Sequence, residues 1–202
     1  MQPIIQKNRS VIIIHTVYCV LGRTSSGKST ITQKAANNLN MKVLKSYTTR
    51  QRRENETDES CDHIFISSNE VEKYRNDMIA YTDRVGYCSF ATKQQLLDND
   101  FYIINPTGYY ELKLKTKDMD IELVTIMVNV PYNDLRQRAK KRGDYDAWQA
   151  NYIKESEEFS SFEKSHLIDY FVLNDRSIEE SVAKMVRVIN KDRAKRGITN
   201  EK

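Results

Sequence analysis

The stretch LGRTSSGKST, residues 21–30, places two of the chain's six glycines in a turn directly behind the apolar run VIIIHTVYCV of residues 11–20. Gly22, four residues, then Gly27, Lys28 and Ser29 fit the spacing GxxxxGK[ST], in which glycines let backbone N–H groups turn inward around a phosphate chain. Lys28 then reaches the outer phosphates as a point charge, Ser29 offers its hydroxyl to Mg2+, and the helix starting there directs its positive end at the anion. The competing reading is a serine-rich turn that caps a helix with or without a ligand. The position between an apolar strand and a helix favours the cradle.

At 202 residues the chain suits one sizeable core with room for an inserted lobe. No apolar run approaches the roughly 18 residues of a membrane span, so a membrane protein is not expected. Residues 11–21 contain His15, lack a small-residue cleavage site and feed straight into the cradle. They read as a buried strand with an extension rather than a signal peptide. Cys19, Cys61 and Cys88 are odd in number and lack CxxC spacing, which indicates neither a disulfide framework nor a zinc site and suits a reducing cytoplasm. A net charge of +4 with scattered basic residues does not imply nucleic-acid binding, and the mixed-charge tail NKDRAKRGITNEK reads as a solvated face.

Short apolar runs at 18–21, 43–44, 101–104, 121–130 and 170–173 read as strands, and 29–39, 109–117, 132–141 and 178–193 as helices. The repeated βα order predicts an α/β fold, a parallel sheet covered by helices on both faces. Two stretches interrupt it. Residues 46–91 read as a polar loop, a strand at 63–66, a helix entered by the capping box Ser67, Ser68, Asn69, Glu70, and a hairpin around Val85 and Gly86: an inserted lobe. The charged stretch KKRGDYDAWQANYIKESEEFSSF reads as a helical pair broken at Gly143, with nothing apolar enough for the core, and so as a mobile lid.

SYTTRQRRENE followed by DHIF resembles the acceptor-binding segment of the guanylate kinase family, which runs Ser, two residues, Thr-Arg, Pro, Arg, Gly, Glu and then Asp-Tyr-x-Phe. The cradle, LRQRAKKRG and IDYFVLND resemble further family segments, in matching order over about residues 18–189, with one residue inserted near Cys61. The resemblance implies a P-loop kinase: a core of about 11–45, 99–138 and 166–193, an acceptor-binding lobe of about 46–98 and a helical lid of about 139–165, all in one domain over 1–202. It also implies that Gly22, Arg23, Thr24, Ser25, Ser26, Gly27, Lys28, Ser29 and Thr30 hold ATP, with Ser29 on Mg2+. Arg50 and Arg53 match the arginines on the acceptor's phosphate, and Ser46, Glu56 and His63 match other acceptor-site positions. Arginine forks on a polar loop with no run of carboxylates opposite suit an anionic ligand, while a solvated basic loop is the plain alternative. Arg138 and Arg142 match the lid arginines that close over the transferring phosphate, although Arg142 beside Gly143 also fits a helix end enriched in cations. Asn174 matches a residue near the donor's adenine and equally fits ordinary turn chemistry. Trp148 reads as a packing residue between lid helices.

The sequence also departs from the family it resembles. Ala80 stands where the guanine-reading glutamate is expected, and Ser89, Phe90, Ala91 replace Tyr-Gly-Ser or Tyr-Gly-Thr. His63 replaces the tyrosine of Asp-Tyr-x-Phe, and Asn105 stands at the strand end where a carboxylate is expected. The family's later lid arginine falls near Asn151, with Lys154 within one turn. The expected activity is transfer of the γ-phosphoryl group of ATP to a nucleoside monophosphate, GMP being the default acceptor. A deoxynucleotide or other non-guanine acceptor is the close alternative, and a silent guanylate-kinase-like binding module the more distant one. The oligomeric state is not legible.

Overall fold

The computed structural model describes residues 15–52, 56–57, 61–84 and 86–197. Its centre is strand β1, His15–Leu21, whose last five residues, Val17 to Leu21, are fully buried. A strand buried on both faces needs partners at both edges and cover above and below. On one edge Tyr18 pairs in parallel with Phe101 of β7, Phe101–Ile103, and on the other with Val124 of β8, Ile121–Asn129. Strand β2, Val43–Leu44, and β9, Tyr170–Leu173, complete a five-stranded sheet in the order β2-β7-β1-β8-β9, parallel throughout. Helices α1, Lys28–Leu39, and α6, Ile178–Lys195, bury Ile31, Ala35, Ala36, Met185 and Ile189 against one face. Helices α3, Pro106–Lys115, and α5, Tyr145–Glu163, bury Tyr109, Leu112, Phe159 and Phe162 against the other. The α/β reading is met, and the chain reverses its winding at β1, so the crevice for a ligand opens at that strand's C-terminal end.

A second sheet, in the order β4-β3-β6-β5, is built from β3, Ser46–Thr48, β4, His63–Phe65, β5, Met78–Arg84, and β6, Tyr87–Thr92. The expected hairpin is present with Gly86 at its tip at φ +87°, while Val85 lies outside the described residues. The capping box is also present: the Glu70 carboxylate accepts hydrogen bonds from the N–H and hydroxyl of Ser67, at the start of a 3-10 helix over Ser68–Tyr74.

Three expectations need correction. Residues 46–48 form a strand, not part of a polar loop, because Ser46 and Thr48 turn inward beneath the sheet while Tyr47 stacks on Tyr74 and meets Phe90. Helix α3 starts at Pro106 rather than residue 109, since Asn105 accepts a hydrogen bond from the Gly108 N–H and proline suits the first helical turn. The stretch read as having no place in the core puts Phe159 and Phe162 squarely into it, because Trp148, Tyr152, Phe159 and Phe162 recur at helical spacing and form one aromatic stripe on α5. A short helix α2, Lys93–Leu97, follows a second capping box at Thr92 and Gln95 that the sequence reading passed over.

Candidate active site

Both glycines of the opening stretch are held to that residue type by their surroundings. A Cβ on Gly22 would lie 2.8 Å from Ser26 Oγ and 2.9 Å from the Val128 carbonyl oxygen. Gly27 sits at φ +75°, and its Cβ would lie 2.8 Å from Asn174 Nδ2. Ser25 adopts φ +69°, a left-handed conformation that costs a non-glycine residue about 1 kcal/mol or more. Helix α1 starts at Lys28 with Gly27 as its N-cap, no side-chain cap and no acidic residue in its first turn. The serine-capped-turn alternative therefore does not describe this loop, and the first turn of the helix carries no acidic residue of its own against its positive end.

Several side chains fix the loop from behind. The Ser26 carbonyl accepts from Asn174 Nδ2 at 2.7 Å and Arg138 Nη1 at 3.2 Å, while Arg138 Nη2 donates to the Asn174 carbonyl at 2.6 Å. Asn174 is buried and its Oδ1 accepts from the Ser181 hydroxyl, so both ends of its amide are engaged in supporting the loop. Arg142, the last residue of helix α4, Tyr132–Arg142, donates to Ser25 Oγ at 3.0 Å and pairs with Asp144. From α5, Trp148 Nε1 donates to the Thr24 carbonyl at 3.3 Å. Glu155 accepts from the N–H and hydroxyl of Thr24 at 3.0 and 2.8 Å, so one amide of the loop already holds an anion. Arg23 lies over the rings of Tyr152 and Phe159 and faces Glu163 at 3.6 Å. A cavity of about 360 Å3 opens behind the loop on this side, lined by Arg23, Ser26, Met127, Asn129 and Tyr152. Lys154 is exposed.

In front of the loop stands the second sheet. The Ser29 hydroxyl donates to Asp62 Oδ2 at 2.9 Å. Asp62 Oδ1 lies 3.6 Å from His63 Nε2, and His63 Nδ1 meets the Ser46 hydroxyl at 2.8 Å. Burial holds the His63 imidazole below the usual histidine range, opposed by the Asp62 charge and aided by that of Arg50. Thr48, Ser89 and Thr82 line the same side with hydroxyls, Ser89 donating to Thr48 at 2.9 Å. Arg50 does have a carboxylate opposite: its Nη1 and Nη2 donate to the two oxygens of Glu56 at 3.0 and 2.9 Å, with the guanidinium over Phe65. The spacing of six residues across a loop hid this pair from the sequence reading. Arg53 lies outside the described residues.

Ala80, at the position expected to carry a carboxylate, is buried at φ +52° beside an irregularity in the β5–β6 register. Glu111 of α3 accepts from the N–H of Tyr81 at 3.0 Å, and burial raises its carboxyl above the usual range. The role of Asp62 is not legible in the DHIF segment, because its contact with Ser29 joins two elements that the sequence holds far apart. Among the described residues no three His, Cys, Asp or Glu side chains group as a metal cluster, and no helix is long and apolar enough to cross a membrane. Cys19, Cys61 and Cys88 are buried and unbonded to one another.

No protein-family model and no curated protein matches this chain. Among solved structures, the guanylate kinase from Anaplasma phagocytophilum superposes with a TM-score of 0.63 at 19% identity, covering 89% of this chain and 86% of its own. The chain therefore shares its α/β fold with that guanylate kinase: a parallel five-stranded sheet flanked by helices, with the glycine-bearing turn of residues 22–27 after the first strand.

Proposed function

We propose that this chain transfers the γ-phosphoryl group of ATP to a nucleoside monophosphate, giving ADP and a nucleoside diphosphate. The observation that carries the reading is the uncapped start of α1 behind a loop whose two glycines admit no side chain, with Lys28 and Ser29 in its first turn. Phosphoryl transfer asks a protein for alignment, charge neutralisation and exclusion of water rather than a covalent intermediate. Lys28 and the loop amides would hold the donor's outer phosphates. Arg142, which bonds Asp144 and Ser25 at the rim, would pivot toward the transferring group. Arg138 and Asn174 act through the loop, fixing its carbonyls so that its amides point the other way. Arg50 would exchange Glu56 for the acceptor's phosphate, Arg53 supporting it, beside Ser46 and His63. Ser29, an oxygen donor 2.9 Å from a carboxylate oxygen, suits a hard divalent cation. Bound Mg2+ would neutralise charge on the donor's phosphates.

The experiment is incubation with Mg-ATP and each ribo- and deoxynucleoside monophosphate in turn, following ADP. Lys28→Ala is expected to lose activity by about 10²-fold or more with the fold intact. Equal activity in parent and variant rejects the reading. GMP is the default acceptor from the fold, but a second reading has a specific observation behind it. The side chain at position 80 is a buried methyl, the neighbouring wall carries hydroxyls and Glu111 is taken up by the Tyr81 N–H, so position 80 itself offers no carboxylate to the two adjacent N–H donors of guanine. Lost partners of this kind weaken preference by about one to two decades. Comparable kcat/KM for GMP, dTMP, dCMP and AMP would favour this second reading, and a preference for GMP above about a thousandfold would exclude it.

A further inference from the structure

The strand end after β7 offers no carboxylate to a cation. It carries Asn105, whose side-chain oxygen is taken up by the Gly108 N–H at 3.0 Å as the cap of α3. Two other acids near the site are also committed elsewhere: Glu155 holds both donors of Thr24, and Glu56 holds the fork of Arg50. Asp62 is different. Its Oδ2 sits 2.9 Å from Ser29 Oγ, the hydroxyl in the first turn of α1, while its Oδ1 lies 3.6 Å from His63 Nε2.

We infer that Asp62, reaching across from the second sheet, is the carboxylate that positions the divalent cation of the bound nucleotide, in place of the missing acid at the end of β7. This rests on the reading of residues 22–29 as a nucleotide site. Three observations carry it. Mg2+ takes one or two carboxylates together with phosphate oxygens and water, so a single aspartate beside a hydroxyl is a sufficient protein contribution. Neighbouring ligands of an octahedral Mg2+ stand about 2.9 Å apart when each is 2.0–2.1 Å from the metal, and the Ser29–Asp62 oxygen pair already has that spacing. Finally, a carboxylate this close to a phosphate loop repels a metal-free polyphosphate, so its presence is favourable only when a cation lies between them. The placement has a functional corollary: the residue that meets the cation belongs to the element bearing His63 and, through β3, the run to Arg50, so metal-nucleotide binding and the position of the acceptor side are coupled.

The test is ATP affinity by titration calorimetry, with Mg2+ and with EDTA, for the parent chain, Asp62→Asn and Asp62→Glu. Asparagine still accepts the Ser29 hydrogen bond, so a merely structural Asp62 predicts no change in the metal dependence. The inference predicts that Asp62→Asn binds metal-free ATP more tightly and Mg-ATP more weakly, so that the ratio of the two affinities shrinks by about tenfold or more. Asp62→Glu, which keeps the charge, is expected to retain most of the ratio. A parent that binds ATP with the same ratio as Asp62→Asn overturns the inference and leaves the nucleotide site standing. A parent that binds ATP under neither condition overturns both. If Asp62→Asn does not fold, the comparison of parent and Asp62→Glu decides: a parent whose ATP affinity is indifferent to Mg2+ rejects the assignment.

Discussion

His63 is held between Asp62 and Ser46 with its ring largely withdrawn from solvent, and burial makes its neutral form the favoured one in the folded chain. A histidine whose folded value lies below the 6.5 of an exposed imidazole leaves stability intact above pH 6.5 and withdraws it as pH falls through and below that value. The midpoint of thermal unfolding is therefore expected to decline between about pH 6.5 and pH 5, and His63→Gln to flatten that part of the profile. Superimposable profiles for parent and variant would show that another group sets the dependence. At this scale the sequence was most legible where the determinants are contiguous: Gly22 and Gly27 are read directly because the backbone of one turn leaves no room for a side chain at either. Arg50–Glu56 and Ser29–Asp62 were not, since each depends on how a loop or a second sheet returns to the first.

Helix α5 shows why a whole element was read in part. Charges are spread along it, and their solvation predicts an exposed lid. Four aromatic residues at helical spacing decide otherwise, with Phe159 and Phe162 in the main core and Trp148 against Leu135 and Ala139 of α4. Removing one such phenylalanine from the core costs about 3–5 kcal/mol, so α5 cannot swing as a unit, and any closing motion belongs to α4's end and the first turns of α5. Trp148 is the chain's single tryptophan and bonds the Thr24 carbonyl of the glycine loop. Saturating ATP is expected to shift or quench its fluorescence in the parent and to leave Lys28→Ala unchanged at the same concentration. An unchanged spectrum in the parent would mean that the loop binds nucleotide without moving against α5. The fold class itself was legible at this scale, because buried parallel strands are continuous apolar runs whose helices alternate with them. The second sheet was harder, its strands being short and mixed with polar residues that face inward to one another.

Across the molecule, the last helix is fastened to the first strand by one carboxylate. Asp192 of α6 is 2% exposed and accepts from Tyr18 Oη at 3.1 Å, Tyr170 Oη at 2.9 Å and Arg196 Nε at 2.6 Å. Burial pushes its carboxyl up, and the donors from Arg196, Tyr170 and Tyr18 more than offset this to hold it below the usual aspartate range. Asp192→Ala is expected to destabilise the chain by about 2–3 kcal/mol in denaturant unfolding, less than a fully buried pair because Arg196 also pairs with Glu122. A loss under about 0.5 kcal/mol would show that the tyrosine hydroxyls find water without cost.

The position of β1 has a further consequence for how the chain comes into being. It is the first strand of the sheet in sequence, yet Tyr18 finds its partners at Phe101 on one edge and Val124 on the other. During synthesis this central strand, fully buried from Val17 to Leu21, and the glycine loop that hangs from it, emerge long before either neighbour exists. Until β8 has left the ribosome, β1 keeps an unpaired backbone edge, the condition in which nascent chains associate with one another or with a chaperone. Such distant pairing also makes folding slow relative to a helical chain of this size. Fragments ending before residue 121 are accordingly expected to aggregate rather than fold, although they contain the entire glycine loop.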